Sequence, residues 1–423
     1  MSDPTKKDQA ATTEAEPRRR FGGRLRTMGP GLIVMAAFMG PGSVTTASVA
    51  GASYGFVVLW SVVFATVATI ILQEMTARLG IVSRMGLGDA LRRAFANPVW
   101  KVVVALLVLL AIAVGGFSFE TGNVTGTSQG LTIVTGIPDT VTALIAGAVV
   151  FALLFIGRYK IIERTLVVLV ALMSAVFLIT AVIVKPDLGA LLRGLVVPTV
   201  PAGSLIVLVG LIGSTVVPYN LFLHSASVQE KWSESIPTRQ ALSESRTDTA
   251  VSISLGGLIT VAILATGASA FFAKGDTVED AVDMARQLEP ILGSGAELLF
   301  GLGFMAAGLT SAITAPLGAA YAVCGVLGWG RDLRSWRFRA VWMTVVVVGT
   351  LFTILGTKPV AVILITQYAA GLTLPVLAVF LIIVMNRRDV LREHTNGPLP
   401  NVLGVLVVLG VVVLGALQLL GIA

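Results

Sequence analysis

The chain has 423 residues, 55% of them hydrophobic and 13% charged, and its mean hydropathy is +0.90. A soluble domain carries about 25% charged residues, so a soluble globular protein is excluded. Cys324 is the one cysteine and His224 and His394 the two histidines, too few for a disulfide scaffold or a zinc cluster.

In chain order, residues 1–28 are polar and basic, with Lys6, Lys7, Arg18, Arg19, Arg20, Arg24 and Arg26. They lack the apolar core and small-residue cleavage site of a secretory signal. This segment reads as a cytoplasmic basic tail beside the anionic inner leaflet. Eleven apolar stretches follow, at roughly 30–56, 57–82, 102–131, 139–157, 165–184, 204–228, 250–272, 291–327, 340–357, 360–385 and 399–422. Each is long enough to cross a hydrocarbon core of ~30 Å. The pattern predicts an all-α polytopic membrane protein. A ten-helix core at 29–385 holds two repeats, about 29–190 and 200–385, and 386–423 supplies a loop and an eleventh helix.

Basic residues set the orientation. With the N-terminus cytoplasmic, the inner loops hold seventeen Lys and Arg and the outer loops five (Lys185, Arg193, Lys274, Arg286 and Lys358). That places the C-terminus outside and gives the net charge of +7 a membrane role rather than a nucleic-acid one. A multi-pass protein of the plasma membrane is expected. Its partners are the bilayer and a small solute or ion, and it is expected to work as a monomer.

Two stretches are interrupted at corresponding places, Gly40-Pro41-Gly42-Ser43 in the first and Val217-Pro218-Tyr219-Asn220 in the sixth. Pro41 and Pro218 lack an N–H and clash with the preceding turn, so each helix kinks or unwinds there. Unwound backbone at membrane depth is tolerated where it lines a cavity. Spans one and six stand five apart, as an inverted repeat requires, and such paired discontinuous helices build a substrate site near the midplane.

Several motifs identify a relative. Gly29-Pro30-Gly31, the Gly40-Pro41-Gly42 break, Ala50 to Phe56, Leu59-Trp60 and Gln73 to Val82 resemble the first two helices of Nramp-family transporters. Pro218 and Asn220 with Leu223-His224-Ser225-Ala226 resemble the sixth, and Gln367 with Leu374-Pro375 the tenth. The resemblance covers nearly the whole chain and implies a LeuT-type fold working by alternating access. Metal-transporting Nramps carry Asp-Pro-Gly-Asn in the first break and Met-Pro-His in the sixth. Here a carboxylate, an amide and a thioether of that set are missing. Removing an anionic ligand leaves a buried dication without its counter-charge, at a cost of several kcal/mol. On this ground no metal site for manganese or iron is expected.

The altered pocket is expected to comprise Gly40, Gly42, Ser43, Thr46, Val217, Tyr219, Asn220 and Gln367. Half-helix N-termini with free amides, and hydroxyls from Ser43, Thr45, Thr46 and Tyr219, suggest a small oxyanion or a carboxylate-bearing solute, bicarbonate or an amino acid. The second reading is a divalent cation carrier for a largely hydrated ion such as Mg²⁺, as in related Nramp-like carriers, since magnesium keeps several waters. Glu120 lies where the family places an acidic proton acceptor, and the next family carboxylate is Asn123 here. Glu120, Asn123 and His224 are coupling candidates for H⁺ or Na⁺. Glu120 could equally bind a cationic head group, help hold Na⁺, or line a vestibule. Glu74 and Arg78 form an i, i+4 pair, and Gln73, Arg246 and Glu297 are candidate gates. Asp276, Glu279, Asp280, Asp283 and Glu289 read as a solvated outer loop. No P-loop, nucleophile elbow or metal-binding His pair is present, so neither an enzyme nor a cofactor is expected.

Overall fold

Apolar stretches with no water to satisfy their backbone must hydrogen-bond internally, and every one of them is helical in the computed structural model. The structure describes residues 29–420 apart from 96, 158–159 and 357, so the basic tail lies outside the described residues. The first span is split into Pro30–Phe38 and Pro41–Tyr54, and the second is Leu59–Ser83. A short helix, Leu87–Ala94, leads to the long third span, Pro98–Thr135. Asp139–Ile156 is the fourth span and Lys160–Ile183 the fifth, followed by a short helix, Leu188–Val196. The sixth span is again split, into Leu205–Thr215 and Asn220–Lys231. Thr238–Ala270, Ala296–Leu327, Trp336–Leu355, Pro359–Met385 and Pro398–Leu419 complete the set as spans seven to eleven.

Among the described residues, nine helices are long and apolar enough to cross a membrane and the split first span makes ten; the fifth adds a shorter apolar stretch, Val167–Ile183. The seventh helix begins at Thr238, well before the apolar run expected from position 250, because its first turns are a polar extension of the apolar span.

Burial sorts the helices into centre and periphery. The sixth span is 94% buried in its most apolar window, against 28% for both the ninth and the eleventh. Large apolar side chains such as Leu351, Leu355, Val402 and Leu409 are exposed on those outer helices, as expected of surfaces that face lipid. Small residues let the central helices touch. A Cβ at Gly51 would lie 2.2 Å from the carbonyl oxygen of Leu264, and one at Gly80 would lie 2.3 Å from that of Ser225. The second half of span six thus packs on span two, and the second half of span one on span seven. This exchange is the signature of an inverted repeat, and close small-residue contacts hold it together.

Candidate functional site

Both breaks are built by proline. In the first span Met39 and Gly40 leave the helix, Pro41 restarts it at a position where a missing N–H costs nothing, and the halves meet at 53°. In the sixth span residues 216–219 are non-helical and Tyr219 caps the new helix from Asn220. The two breaks face one another. The Ser43 hydroxyl donates to the carbonyl of Phe38 across its own break and to that of Ser214 on the sixth span, the latter at 3.2 Å.

Three further spans close around them. A Cβ at Gly42 would fall 2.5 Å from Nε2 and 2.7 Å from Oε1 of Gln367, so the tenth span's amide lies directly on the first break and only glycine leaves it room. A Cβ at Gly40 would meet Ser311 Oγ of the eighth span at 2.6 Å and Asn123 Oδ1 of the third at 3.3 Å. The Tyr219 ring meets Phe119 of the third span edge-on at 5.2 Å.

Buried polar atoms without a protein partner gather at this junction. They include the hydroxyls of Thr45, Thr46 and Tyr219, both amide atoms of Asn220 and of Gln367, Nδ2 of Asn123, and both carboxylate oxygens of Glu120. Each such group costs free energy unless something satisfies it, so the cluster describes a site for a polar guest. Val217 is buried and contributes only its carbonyl, which accepts from Asn220 N–H at 3.1 Å.

Gly42 and Gln367 meet at the first break, Ser43 reaches the sixth span through Ser214, and Asn220 begins the helix after the second break. Asn123 Oδ1 lies beside Gly40, Tyr219 meets the third span at Phe119, and Glu120 packs against Gly349 of the ninth span. His224 is drawn elsewhere: its Nδ1 lies 2.9 Å from Oε1 of Gln73 on the second span. The Glu74–Arg78 pair forms at 3.1 Å, and Arg246 joins Glu74 at 3.0 Å. Sequence reasoning missed Ser311 and Gly318 of the eighth span, which no local pattern marks. It also missed Asp248 of the seventh. Its carboxylate accepts from the amides of Gly29 at 3.0 Å and Gly31 at 2.7 Å, capping the first span's first half-helix. An acid one turn ahead of an apolar run was the available signal.

Residues 31–421 match the Natural resistance-associated macrophage protein-like family, Nramp. The chain belongs to the Nramp family. A protein named divalent metal cation transporter MntH from Yersinia pestis (strain Pestoides F) is 28% identical over 418 residues, covering 97% of this chain and 98% of its own. A protein of the same name from Klebsiella pneumoniae (strain 342) is 28% identical over 402 residues, 94% of either chain. Among solved structures, the manganese transporter of Eremococcus coleocola superposes with a TM-score of 0.73 at 22% identity, covering 95% of this chain and 87% of its own. Mhp1, a nucleobase-cation-symport-1 family transporter, superposes at 0.55 and 17% identity, covering 90% of each chain. These likenesses establish the LeuT-type fold, with two inverted five-helix repeats, an eleventh helix and breaks in spans one and six.

They also correct the cargo. The oxyanion or carboxylate solute expected from the pocket is overturned by Nramp relatives named as divalent metal cation transporters along their whole length. The physical reason lies in where the donors go. The amides of Asn220, Leu221 and Phe222 are already bonded to the carbonyls of Val217, Pro218 and Tyr219 at 3.1–3.3 Å. The Ser43 hydroxyl is likewise spent on two carbonyls. The half-helix amides and the Ser43 hydroxyl counted for an anion are thus engaged, which leaves the Thr45, Thr46 and Tyr219 hydroxyls as the unpartnered ones. Among the described residues no group of three or more His, Cys, Asp or Glu could hold a metal ion. The oxygens of this Nramp site are amides, hydroxyls and one carboxylate, Glu120.

Proposed function

We propose that this Nramp-family chain is a secondary transporter that moves a divalent metal cation across the plasma membrane by alternating access, taking the ion with most of its water as suits Mg²⁺. The observation that carries the reading is the chemistry of the break pocket, neutral oxygens from Asn220, Gln367, Thr45 and Thr46, in a chain matched end to end by divalent metal transporters. A dehydrated transition-metal ion needs an anionic or soft ligand to offset lost hydration, and the breaks supply neither. A hydrated Mg²⁺ needs only oxygens that accept from its waters. Pro41 and Pro218 keep the backbone open at the breaks, and Gly40, Gly42, Ser43, Thr46, Val217, Tyr219, Asn220 and Gln367 form the wall. Glu120, Asn123 and His224 serve coupling to H⁺ or Na⁺. The N-terminus is cytoplasmic and the C-terminus outside.

Uptake into proteoliposomes tests this reading, with Mg²⁺ and Mn²⁺ offered singly and in competition. Saturable Mg²⁺ uptake that Mn²⁺ inhibits only weakly is the expected result. Tight Mn²⁺ uptake that excess Mg²⁺ leaves untouched means a dehydrated site and overturns the hydrated-ion part. No uptake of either ion overturns the cargo.

A further inference from the structure

Spans three, nine and ten do not close on one another along their whole length. They leave a cavity of about 410 Å³, to which span three supplies Ala113, Val114 and Thr121, span nine Phe352, and span ten Ile365 and Thr366. Its mouth faces lipid, since Ile365 is 61% exposed and Val114 and Phe352 are exposed beside it. Its floor is deep, for Thr121 is only 3% exposed. Behind the floor the spans are in contact. The Thr353 hydroxyl donates to the Thr121 carbonyl at 3.1 Å and lies 3.1 Å from the Thr125 hydroxyl. A Cβ at Gly122 would stand 3.0 Å from Thr366 Oγ1.

The floor asks nothing polar of a guest. The Thr121 and Thr366 hydroxyls donate to the carbonyls of Phe117 and Ile363 in their own helices, at 2.7 and 2.8 Å. A cavity walled mainly by aliphatic and aromatic groups takes an apolar guest rather than water. One end of the groove carries a charge. Lys358 precedes span ten, is exposed, and its carbonyl accepts from the N–H of Val362, a wall residue, at 2.9 Å. It therefore stands one helical turn beyond the wall. Lys358 is the only charged residue between positions 340 and 386, and among the described residues it has no ion-pair partner.

We propose that this groove seats one acyl chain of an anionic phospholipid, whose phosphate lies against the Lys358 ammonium. The chain enters from the bilayer that covers Ile365 and Phe352, and the unpaired lysine selects the headgroup by charge. Its flexible stem lies along apolar surface while the ammonium stays at headgroup level. The groove floor is also the back of the break pocket. Gln367 follows Thr366, and a Cβ at Gly122 would stand 3.1 Å from its Nε2. A seated chain thus braces the turn of span ten that carries the Gln367 amide.

The experiment uses the purified full chain in detergent with no metal present, so it stands apart from the cargo reading. Native mass spectrometry counts retained lipid as phosphatidylglycerol or phosphatidylcholine is added, and the unfolding midpoint is followed in parallel. One phosphatidylglycerol held saturably, with a rising midpoint, is expected. Phosphatidylcholine should bind about fivefold more weakly, the preference one lysine at a membrane surface confers. Lys358→Gln, a surface change, should remove that preference, and Ala113→Phe should fill the groove and abolish retention of both lipids. Non-saturating retention of several lipids overturns the proposal. So does a preference that survives Lys358→Gln, or retention that survives Ala113→Phe. A midpoint that responds to inorganic phosphate alone, or a protein dimer that Ala113→Phe disrupts, gives the groove another occupant and also overturns it.

Discussion

Gly42 and Gly126 both look into the first break, yet a methyl group at each meets a different obstacle. At Gly42 it meets the Gln367 amide, 2.4 Å from Cδ, the far end of a flexible side chain. At Gly126 it meets the ring of Pro41, 2.1 Å from Cβ and 2.2 Å from Cγ, which has nowhere to go. Gly42→Ala should therefore fold normally while pushing the amide off the pocket. Affinity for the divalent cargo should fall about tenfold, equivalent to ~1.4 kcal/mol or one lost polar ligand. Gly126→Ala should instead lower the unfolding midpoint, with an overpacking cost of about 1–3 kcal/mol. Uptake kinetics and thermal unfolding, run on both variants, separate the two effects. Equal loss of stability in both would show that Gln367 is as rigidly held as Pro41. At this scale the breaks are legible in the sequence, since proline announces itself. The partners are less so: Gln367 enters through the family resemblance, and nothing local reveals that Ser311 stands over a glycine hundreds of positions away.

The inner end of span seven gathers three neighbours through residues spaced two apart. Glu244 accepts from the Trp232 indole at 3.0 Å beyond the end of span six, Arg246 holds Glu74 of span two, and Asp248 holds the amides of Gly29 and Gly31. The half-helix it caps, Pro30–Phe38, has nine residues, too short to persist alone. Its inner end depends on Asp248, whose charge-assisted bonds are each worth about 1.5–3 kcal/mol. Asp248→Ala should let this half-helix swing free while the outer half stays packed on span seven. In a Cys324→Ser background, a cysteine at Ala37, a buried position, should resist thiol reagents with Asp248 intact and react in the Asp248→Ala variant. Unreactive cysteine in both proteins would mean that the carboxylate does not hold the half-helix in place. Sequence reasoning places span seven from its apolar run and so leaves Asp248 in a loop. Hydropathy marks where lipid begins, and the helix continues past that point into water. The Gln73–His224 pairing was hidden for a related reason, because two polar residues in different helices become partners only through packing.

Across the whole molecule, the count of spans, the repeat and the facing breaks follow from hydropathy and two prolines, because a bilayer allows few alternatives to helix. The cargo did not follow, because counting donors at two half-helix ends ignores which are already bonded in the turns. Orientation is the remaining global property, and it rests on the distribution of basic residues. Asp276 is exposed on the loop after span seven and Arg334 is exposed before span nine. Positive-inside topology puts them on opposite faces, outer and inner. Cys324 is fully buried, so single cysteines can be read against a silent parent. In sealed cells, Asp276→Cys should react with a membrane-impermeant maleimide, and Arg334→Cys should react only after the membrane is opened. Reversed labelling would invert the topology and place the Asp248-capped half-helix on the outer face.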